Sequence, residues 1–179
     1  MPANKPIRNV ATKKQRLAEA IAALTALQFG PKQRNETAAY TLLALLDLQP
    51  NDPWTTAEAP LRGITPIIDF IAKTYGVRYA PNTRETIRDD AVKFFVAAGL
   101  LLRNPDDPNR PTNSGRTVYQ IEPSALALLR KVGTRDWPAA LRAYLASREG
   151  LTDEMARTRH LARVPVTLPD GSQVALSPG

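Results

Sequence analysis

The 179-residue chain lacks cysteine and has a single histidine, His160. The absence of thiols excludes disulfides, thiolate metal sites and cysteine nucleophiles, and it suits a reducing compartment. One histidine without a partner cannot build a zinc site or a catalytic triad, and His160 lies among arginines where a surface position is expected. No apolar run is long enough to span a bilayer, and no secretory segment opens the chain. We therefore expect a cytoplasmic protein without membrane contact.

Acidic residues are scarce in residues 1–34, where most of the formal charge of +7 is concentrated. Glu19 is the one acid there, against seven lysines and arginines. Such a cluster would follow phosphates without reading sequence, and its affinity would fall steeply with salt. The alternative is a solvated helix face with a disordered tail. The residues predicted to contact phosphate are Lys13, Lys14, Arg16, Lys32 and Arg34.

The apolar content of 43% is enough to bury a core, and its spacing predicts helices at the start of the chain. Thr12 with Gln15 forms a capping box for a first helix, whose apolar face is marked by Leu17, Ile21 and Leu24, and Gly30-Pro31 is expected to end it. Residues 35–48 predict a second helix that is apolar over a wide arc and central to the domain. Trp54, in the linker that follows, is expected to dock on the core rather than to stack on a base.

Residues 65–99 predict two further helices separated by a short extended piece. Thr65 is expected to cap the first, which ends near Gly76. Asn82 with Glu85 three residues later predicts the start of the second, which Gly99 ends. The first turns of this second helix are polar and lie where backbone N–H groups face outward, as at the inserted end of a DNA-recognition helix.

The candidates for base contacts are the polar residues of those first turns, Asn82, Thr83, Arg84 and Arg88. An arginine can donate to two acceptors of guanine, and an asparagine can bond two sites of adenine. For Arg88 an ion pair with the acids of its own helix is an equal alternative. A winged domain used only for protein contacts is the alternative for the whole unit.

Two short stretches predict a pair of strands after the second helix: the apolar residues 100–103, and residues 117–121, which alternate around β-branched and aromatic residues. The loop between them is rich in Pro, Asn, Asp and Gly, which is typical of a wing that touches a groove or backbone. A solvated hairpin loop is the alternative. The predicted wing contacts are Arg110, Thr112, Asn113, Ser114 and Arg116.

The remainder predicts short helices over 124–131 and 137–147, a third from Thr152, and a β-hairpin around a Pro-Asp-Gly-Ser turn. The predicted fold class is mainly α, a winged helix-turn-helix domain with flanking helices and a short C-terminal β-hairpin. The predicted segments are a basic N-terminal arm and helix (1–34), a winged helix-turn-helix core (35–122), C-terminal helices (123–163) and the hairpin (164–179).

Several strings carry a resemblance to a known family: residues 42–48, 63–66, 79–86, 104–108, 110–114, 118–121, 164–166 and 176–179. They resemble the N-terminal half of the BsuBI/PstI restriction endonucleases. That resemblance implies a DNA-binding half of a type II enzyme, one that cuts duplex DNA at the palindrome CTGCAG with Mg²⁺ in a restriction-modification system. A homodimer of the intact enzyme is compatible with it.

The resemblance also implies that the nuclease half would begin after Gly179. A metal-dependent nuclease needs two acids and a lysine close together, and Asp170 sits in a predicted turn without an acidic-x-Lys triplet. We therefore expect no catalytic residue, metal site or cofactor in these residues, and residues 164–179 as the start of the missing nuclease domain. The alternative function is a winged-helix transcriptional regulator that binds DNA as a dimer.

Overall fold

The computed structural model describes residues 12–148, 165–167 and 173–175. The chain divides into two units, residues 1–140 and 141–179. The helices of the first unit are α1 (Lys13–Ala26), α2 (Glu36–Leu45), α3 (Ile64–Phe70), α4 (Thr83–Thr86), α5 (Lys93–Ala97) and α6 (Pro123–Leu129). A π-helical turn, Ile71–Tyr75, extends α3, and a second, Ile87–Val92, joins α4 to α5 into one helix. Short 3₁₀ turns lie at Pro31–Gln33 and Trp54–Thr56.

The first two helices begin as predicted and end earlier. Thr12 Oγ1 accepts a hydrogen bond from the Gln15 backbone N–H at 3.1 Å, and Asn35 Oδ1 accepts from that of Ala38 at 2.9 Å. Each cap satisfies an N–H group that has no partner within the helix. Left-handed residues follow soon after each helix, Gln28 at φ 70° and Asp47 at φ 52°. The chain therefore turns before the Gly30-Pro31 and Leu48 boundaries expected from the sequence.

Helix α2 is the centre of the core, as predicted. It is buried from Ala38 through Leu45 and packs against α1. Trp54 is also buried, at 5% exposure, and its indole Nε1 donates to Glu19 Oε1 at 2.8 Å. The prediction that Trp54 docks its loop on the core is confirmed.

The next pair of helices differs from the prediction at its caps. The expected N-cap at Thr65 is wrong, because α3 already begins at Ile64 with Gly63 as its cap residue. Asn82 does occupy the cap position of α4, yet its side chain makes no capping hydrogen bond. Gly76 (φ 74°) and Gly99 (φ 78°) end the two helices in the left-handed conformation that favours glycine.

A small antiparallel sheet follows the second helix. Strand β1 (Leu101–Arg103) pairs with β2 (Tyr119–Ile121), and Leu101 lies opposite Ile121. Both strands are shorter than predicted. Arg62, just before α3, pairs with the other edge of β2 as a single antiparallel bridge. Its N–H donates to Tyr119 O at 3.0 Å, and its carbonyl accepts from Tyr119 N at 2.9 Å.

Beyond α6 the chain is helical over residues 137–148. In the second unit, β3 (Pro165–Thr167) pairs antiparallel with β4 (Gln173–Ala175). The predicted arm before residue 12, the helix from Thr152, His160 and the turn at Asp170 lie outside the described residues. Within the described part of the chain, no helix is long and apolar enough to cross a membrane.

Candidate nucleic-acid interface

An open groove of about 390 Å³ lies in the first unit, where the start of α3, the helix formed by residues 83–97, the end of β1 and the loop 104–118 meet. The α3 side contributes Gly63, Ile64, Thr65 and Pro66, and the second helix contributes Arg84, Arg88, Asp89, Lys93 and Val96. The sheet and loop contribute Arg103, Thr112, Asn113, Ser114, Gly115, Thr117 and Tyr119.

The groove is strongly cationic. Four of its lining side chains, Arg84, Arg88, Lys93 and Arg103, are positively charged and exposed, and Asp89 is the one acid among the lining residues. A concave surface lined by one sign of charge concentrates ions of the opposite sign. The groove therefore suits a polyanion.

The π-helical segment explains why Lys93 belongs to this group. In an α-helix of 3.6 residues per turn, residues five apart point about 140° away from each other. The i→i+5 bonding of a π-helical turn brings them back to the same side, and Arg88 and Lys93 both line the groove. Lys93 was not predicted from the sequence, in which a regular α-helix was expected.

Arg84 joins the two helices at the rim of the groove. Its Nη1 donates to Thr65 Oγ1, so the hydroxyl expected to cap α3 instead holds this guanidinium. The start of α3 also lies tightly against the loop, because a Cβ on Gly63 would meet Thr117 O at 2.9 Å. The start of α3 is therefore in contact with both the second helix and the loop.

Arg88 forms the ion pair that the sequence left open, and it lines the groove at the same time. Its Nε lies 2.9 Å from Asp89 Oδ1, and both side chains are 55% exposed. The hydrogen bond from Arg88 lowers the pKa of the Asp89 carboxyl and raises the pKa of the guanidinium. The pair is therefore fully charged near neutral pH, and solvent reaches it.

Of the predicted wing residues, the structure brings three to the groove: Thr112, Asn113 and Ser114. Arg110 instead braces the loop, because its Nη2 lies 2.9 Å from Asp106 Oδ2 and its Nη1 donates to Asn104 Oδ1 at 2.8 Å. Arg116 is exposed but does not line the groove.

The base of the loop is closed by Asn104, which is 4% exposed and left-handed at φ 50°. Its Oδ1 also accepts from the Val118 backbone N–H at 2.9 Å. The loop is thus hydrogen-bonded across its base rather than loosely held.

Asn82 and Thr83 are not among the groove-lining residues. Asn82 is exposed at the cap position of α4, and Thr83, the first residue of that helix, is half-buried. Both precede Arg84 at the N-terminal end of the helix.

Tyr119 closes the groove from the sheet side and is 6% exposed. Burial raises the pKa of its hydroxyl, and nearby Arg103 and Arg88 oppose that shift. The Tyr119 hydroxyl is therefore protonated and uncharged at neutral pH.

Of the N-terminal basic residues, Lys13 lies away from the groove. Lys13 Nζ lies 3.6 Å from where a Cβ on Gly76 would be, whereas the groove adjoins Gly63 at the other end of the same helix. Thirteen residues at 1.5 Å each put these ends about 20 Å apart. Lys13, Lys14 and Lys32 are exposed, and Arg34 is half-buried with its Nε hidden and without a hydrogen-bond partner.

The prediction that Arg16 contacts phosphate is wrong, because its side chain points into the protein. It is 3% exposed, its Nη1 lies 2.6 Å from Glu19 Oε1, and its Nη2 donates to the carbonyls of Pro50, at 3.2 Å, and Asp52. Its guanidinium also lies 5.6 Å from the centroid of the Trp54 ring. Arg16 is therefore part of the core, and we do not retain it as a phosphate contact.

A family model described as the BsuBI/PstI restriction endonuclease HTH domain matches residues 14–153. The chain belongs to the BsuBI/PstI restriction endonuclease family. The match includes both helices and the loop that build the groove. It identifies a helix-turn-helix domain in a mainly helical chain with a small antiparallel sheet.

Two curated relatives and one solved structure agree with this family. The chain is 41% identical over 161 residues to the type II restriction enzyme BsuBI of Bacillus subtilis, covering 90% of this chain and 51% of that protein. It is 34% identical over 179 residues to the type II restriction enzyme AplI of Arthrospira platensis, covering 100% of this chain and 54% of that protein. The structure of SdaI restriction endonuclease is similar with a TM-score of 0.71 and 30% identity, covering 95% of this chain and 52% of that chain. The chain thus spans about half the length of the relatives that it matches.

Proposed function

We propose that this chain binds duplex DNA as the base-reading part of a type II restriction endonuclease in a restriction-modification system. The observation that carries the proposal is the cationic groove between the start of α3, the helix of residues 83–97 and the loop 104–118. A helix-turn-helix that presents arginines from the first half of its second helix is suited to the major groove, which is wide enough to admit an α-helix.

In the proposed complex, Arg84 and Arg88 face base edges, where each guanidinium can donate to two guanine acceptors. The loop residues Thr112, Asn113 and Ser114 face the adjacent backbone, with Arg116 on the rim. This arrangement is a winged helix. The antiparallel bridge between Arg62 and Tyr119 supports it, because it pairs the segment before α3 with strand β2. Asn82 and Thr83 remain candidates for contacts at the end of the helix.

The exposed N-terminal lysines are proposed as a second, sequence-independent contact. Lys13, Lys14 and Lys32 would follow phosphates of the same duplex, together with the accessible part of Arg34. Because Lys13 lies about 20 Å from the groove, this contact would need a duplex that runs past the far end of α3.

The recognised sequence is proposed to be CTGCAG. A palindrome has two equivalent halves, so the intact enzyme is proposed to bind it as a homodimer in the cytoplasm. Cleavage and the Mg²⁺ that supports it are proposed for the intact enzyme, in which carboxylates would hold the ion and activate water. We assign recognition, not cleavage, to the residues described here.

Fluorescence anisotropy with a CTGCAG duplex and a scrambled duplex, at low and moderate salt, tests this function. Tighter binding to CTGCAG that persists at the higher salt is expected. Arg84→Ala should weaken binding to CTGCAG by about 1 to 3 kcal/mol and reduce the preference. Arg135→Ala removes an exposed arginine from outside the groove and should change neither. Equal weakening by Arg84→Ala on both duplexes would contradict base reading by Arg84, and absence of binding to either duplex would contradict the function.

A further inference from the structure

Asp89 is out of place in a groove that binds a polyanion. Its carboxylate is 55% exposed and lines the groove together with four cationic side chains. A carboxylate so close to DNA repels every phosphate regardless of sequence. Its presence at this position therefore calls for a role that depends on the bases.

The contact between Asp89 and Arg88 leaves particular edges of both groups free. Asp89 takes the side edge of the guanidinium, with Nε donating to Oδ1 at 2.9 Å and Nη2 to Oδ2 at 3.3 Å. The guanidinium carries five N–H groups, so its end edge, formed by Nη1 and the second hydrogen of Nη2, still offers a pair of donors. Each carboxylate oxygen keeps another lone pair for a further donor.

The free edges of the pair match one base pair and not the other. In the major groove, guanine presents N7 and O6 as acceptors and its paired cytosine presents the N4 amino group as a donor. Adenine presents an acceptor and then a donor, and thymine adds an acceptor and a methyl group. Two adjacent donors followed by an acceptor therefore fit G·C and clash with A·T.

We propose that Arg88 and Asp89 together read one G·C base pair, with Arg88 donating to guanine N7 and O6 while Asp89 accepts from the N4 amino group of the paired cytosine. This inference rests on the proposed function. It assigns Asp89 as a specificity-determining residue, which the sequence analysis did not include. Both residues lie in the π-helical segment Ile87–Val92, where the widened turn brings neighbouring side chains to the groove.

The experiment removes the Asp89 acceptor and the cytosine amino group separately. Asp89→Ala is used because an asparagine would keep an amide oxygen that could still accept from the amino group. It is compared with the wild-type chain and with Glu85→Ala, which removes an exposed acid of the same helix that does not line the groove. The duplexes are CTGCAG and two versions in which one of its two symmetry-distinct cytosines is replaced, in both half-sites, by 2-pyrimidinone, which lacks the amino group. Equal melting temperatures of the variants show that each is folded.

For one of the two replaced cytosines, the wild-type chain and Glu85→Ala should lose roughly 5- to 150-fold in affinity per half-site bound. Asp89→Ala should bind that duplex and CTGCAG within about twofold of each other, while it still prefers CTGCAG to a scrambled duplex. Insensitivity of the wild-type chain to both replacements would overturn the inference, because Asp89 would then only hold Arg88 in place. Unchanged amino dependence in Asp89→Ala would also overturn it. In either case, a wild-type preference for CTGCAG over the scrambled duplex would still support the proposed function. If the wild-type chain showed no such preference, the proposed function itself would be contradicted.

Discussion

Replacing Arg16 by alanine should destabilise the fold and leave DNA binding intact. The change deletes an ion pair of 2.6 Å to Glu19 and the hydrogen bonds to the Pro50 and Asp52 carbonyls, from a side chain that is 4% exposed. Glu19 stays bonded to Trp54 Nε1 and keeps a charge that has lost its counter-ion. Removing one partner of a mostly buried pair costs about 3 kcal/mol.

Thermal unfolding followed by circular dichroism measures this loss. For a chain of this length, about 3 kcal/mol corresponds to a fall of about 6 to 12 °C in the melting temperature. Lys14 is exposed and lies two residues before Arg16 in the same helix. Lys14→Ala is therefore the matched control and should leave the melting temperature unchanged. It should instead reduce the salt dependence of DNA binding by about one counterion. An unchanged melting temperature with a reduced salt dependence in Arg16→Ala would refute our account of Arg16.

Three smaller predictions concern the supports of the groove and core. Gly63→Ala should lower stability by about 1 to 3 kcal/mol, because its Cβ would meet Thr117 O at 2.9 Å, whereas Gly115→Ala, which meets nothing within 4 Å, should melt as the wild type does. Trp54→Phe removes the indole donor to Glu19 and should lower the urea-unfolding free energy by about 1 to 2 kcal/mol; no change would contradict the role of that bond. Asp106 should titrate by carboxyl NMR below its ordinary pKa of 3.8, because Arg110 bonds its ionised form. Since folding lowers this pKa, the stabilisation is present above pH 3.8 and is lost as the pH falls through the lower folded pKa; Arg110→Ala should reduce the shift, and an unchanged pKa in that variant would contradict the role of Arg110.

Most of the framework was predictable because local rules determine it. The Thr12 and Asn35 caps, the buried α2 helix and the glycine-ended helices at Gly76 and Gly99 follow from capping, apolar spacing and backbone freedom at single residues. These features depend on neighbours within one or two helical turns. The two strands were also predictable, since residues 100–103 are a short apolar run and residues 117–121 alternate around β-branched and aromatic residues.

The orientation of charged side chains was harder to predict. The buried residues of α1 are Arg16, Ala20, Ala23 and Leu24, spaced as one helical face, so a signal for Arg16 was present. Its burial was missed because an arginine is usually exposed. The carbonyl groups that accept its hydrogen bonds also belong to Pro50 and Asp52, which are distant in the sequence. Lys93 was missed for a different reason, since a π-helical turn has no marker in the sequence. Arg110 looked like a contact residue because its partners Asp106 and Asn104 become known only once the loop is folded.

The location of the DNA on the protein tests the central claim most directly. Backbone amide NMR shifts of the isotope-labelled chain, recorded while a CTGCAG duplex is added, report that location residue by residue. We expect the largest shifts at Arg84, Arg88, Lys93 and the loop residues 112–115, with smaller shifts near Lys13 and Lys14. Large shifts confined to the N-terminal lysines, with the groove residues unmoved, would contradict the account.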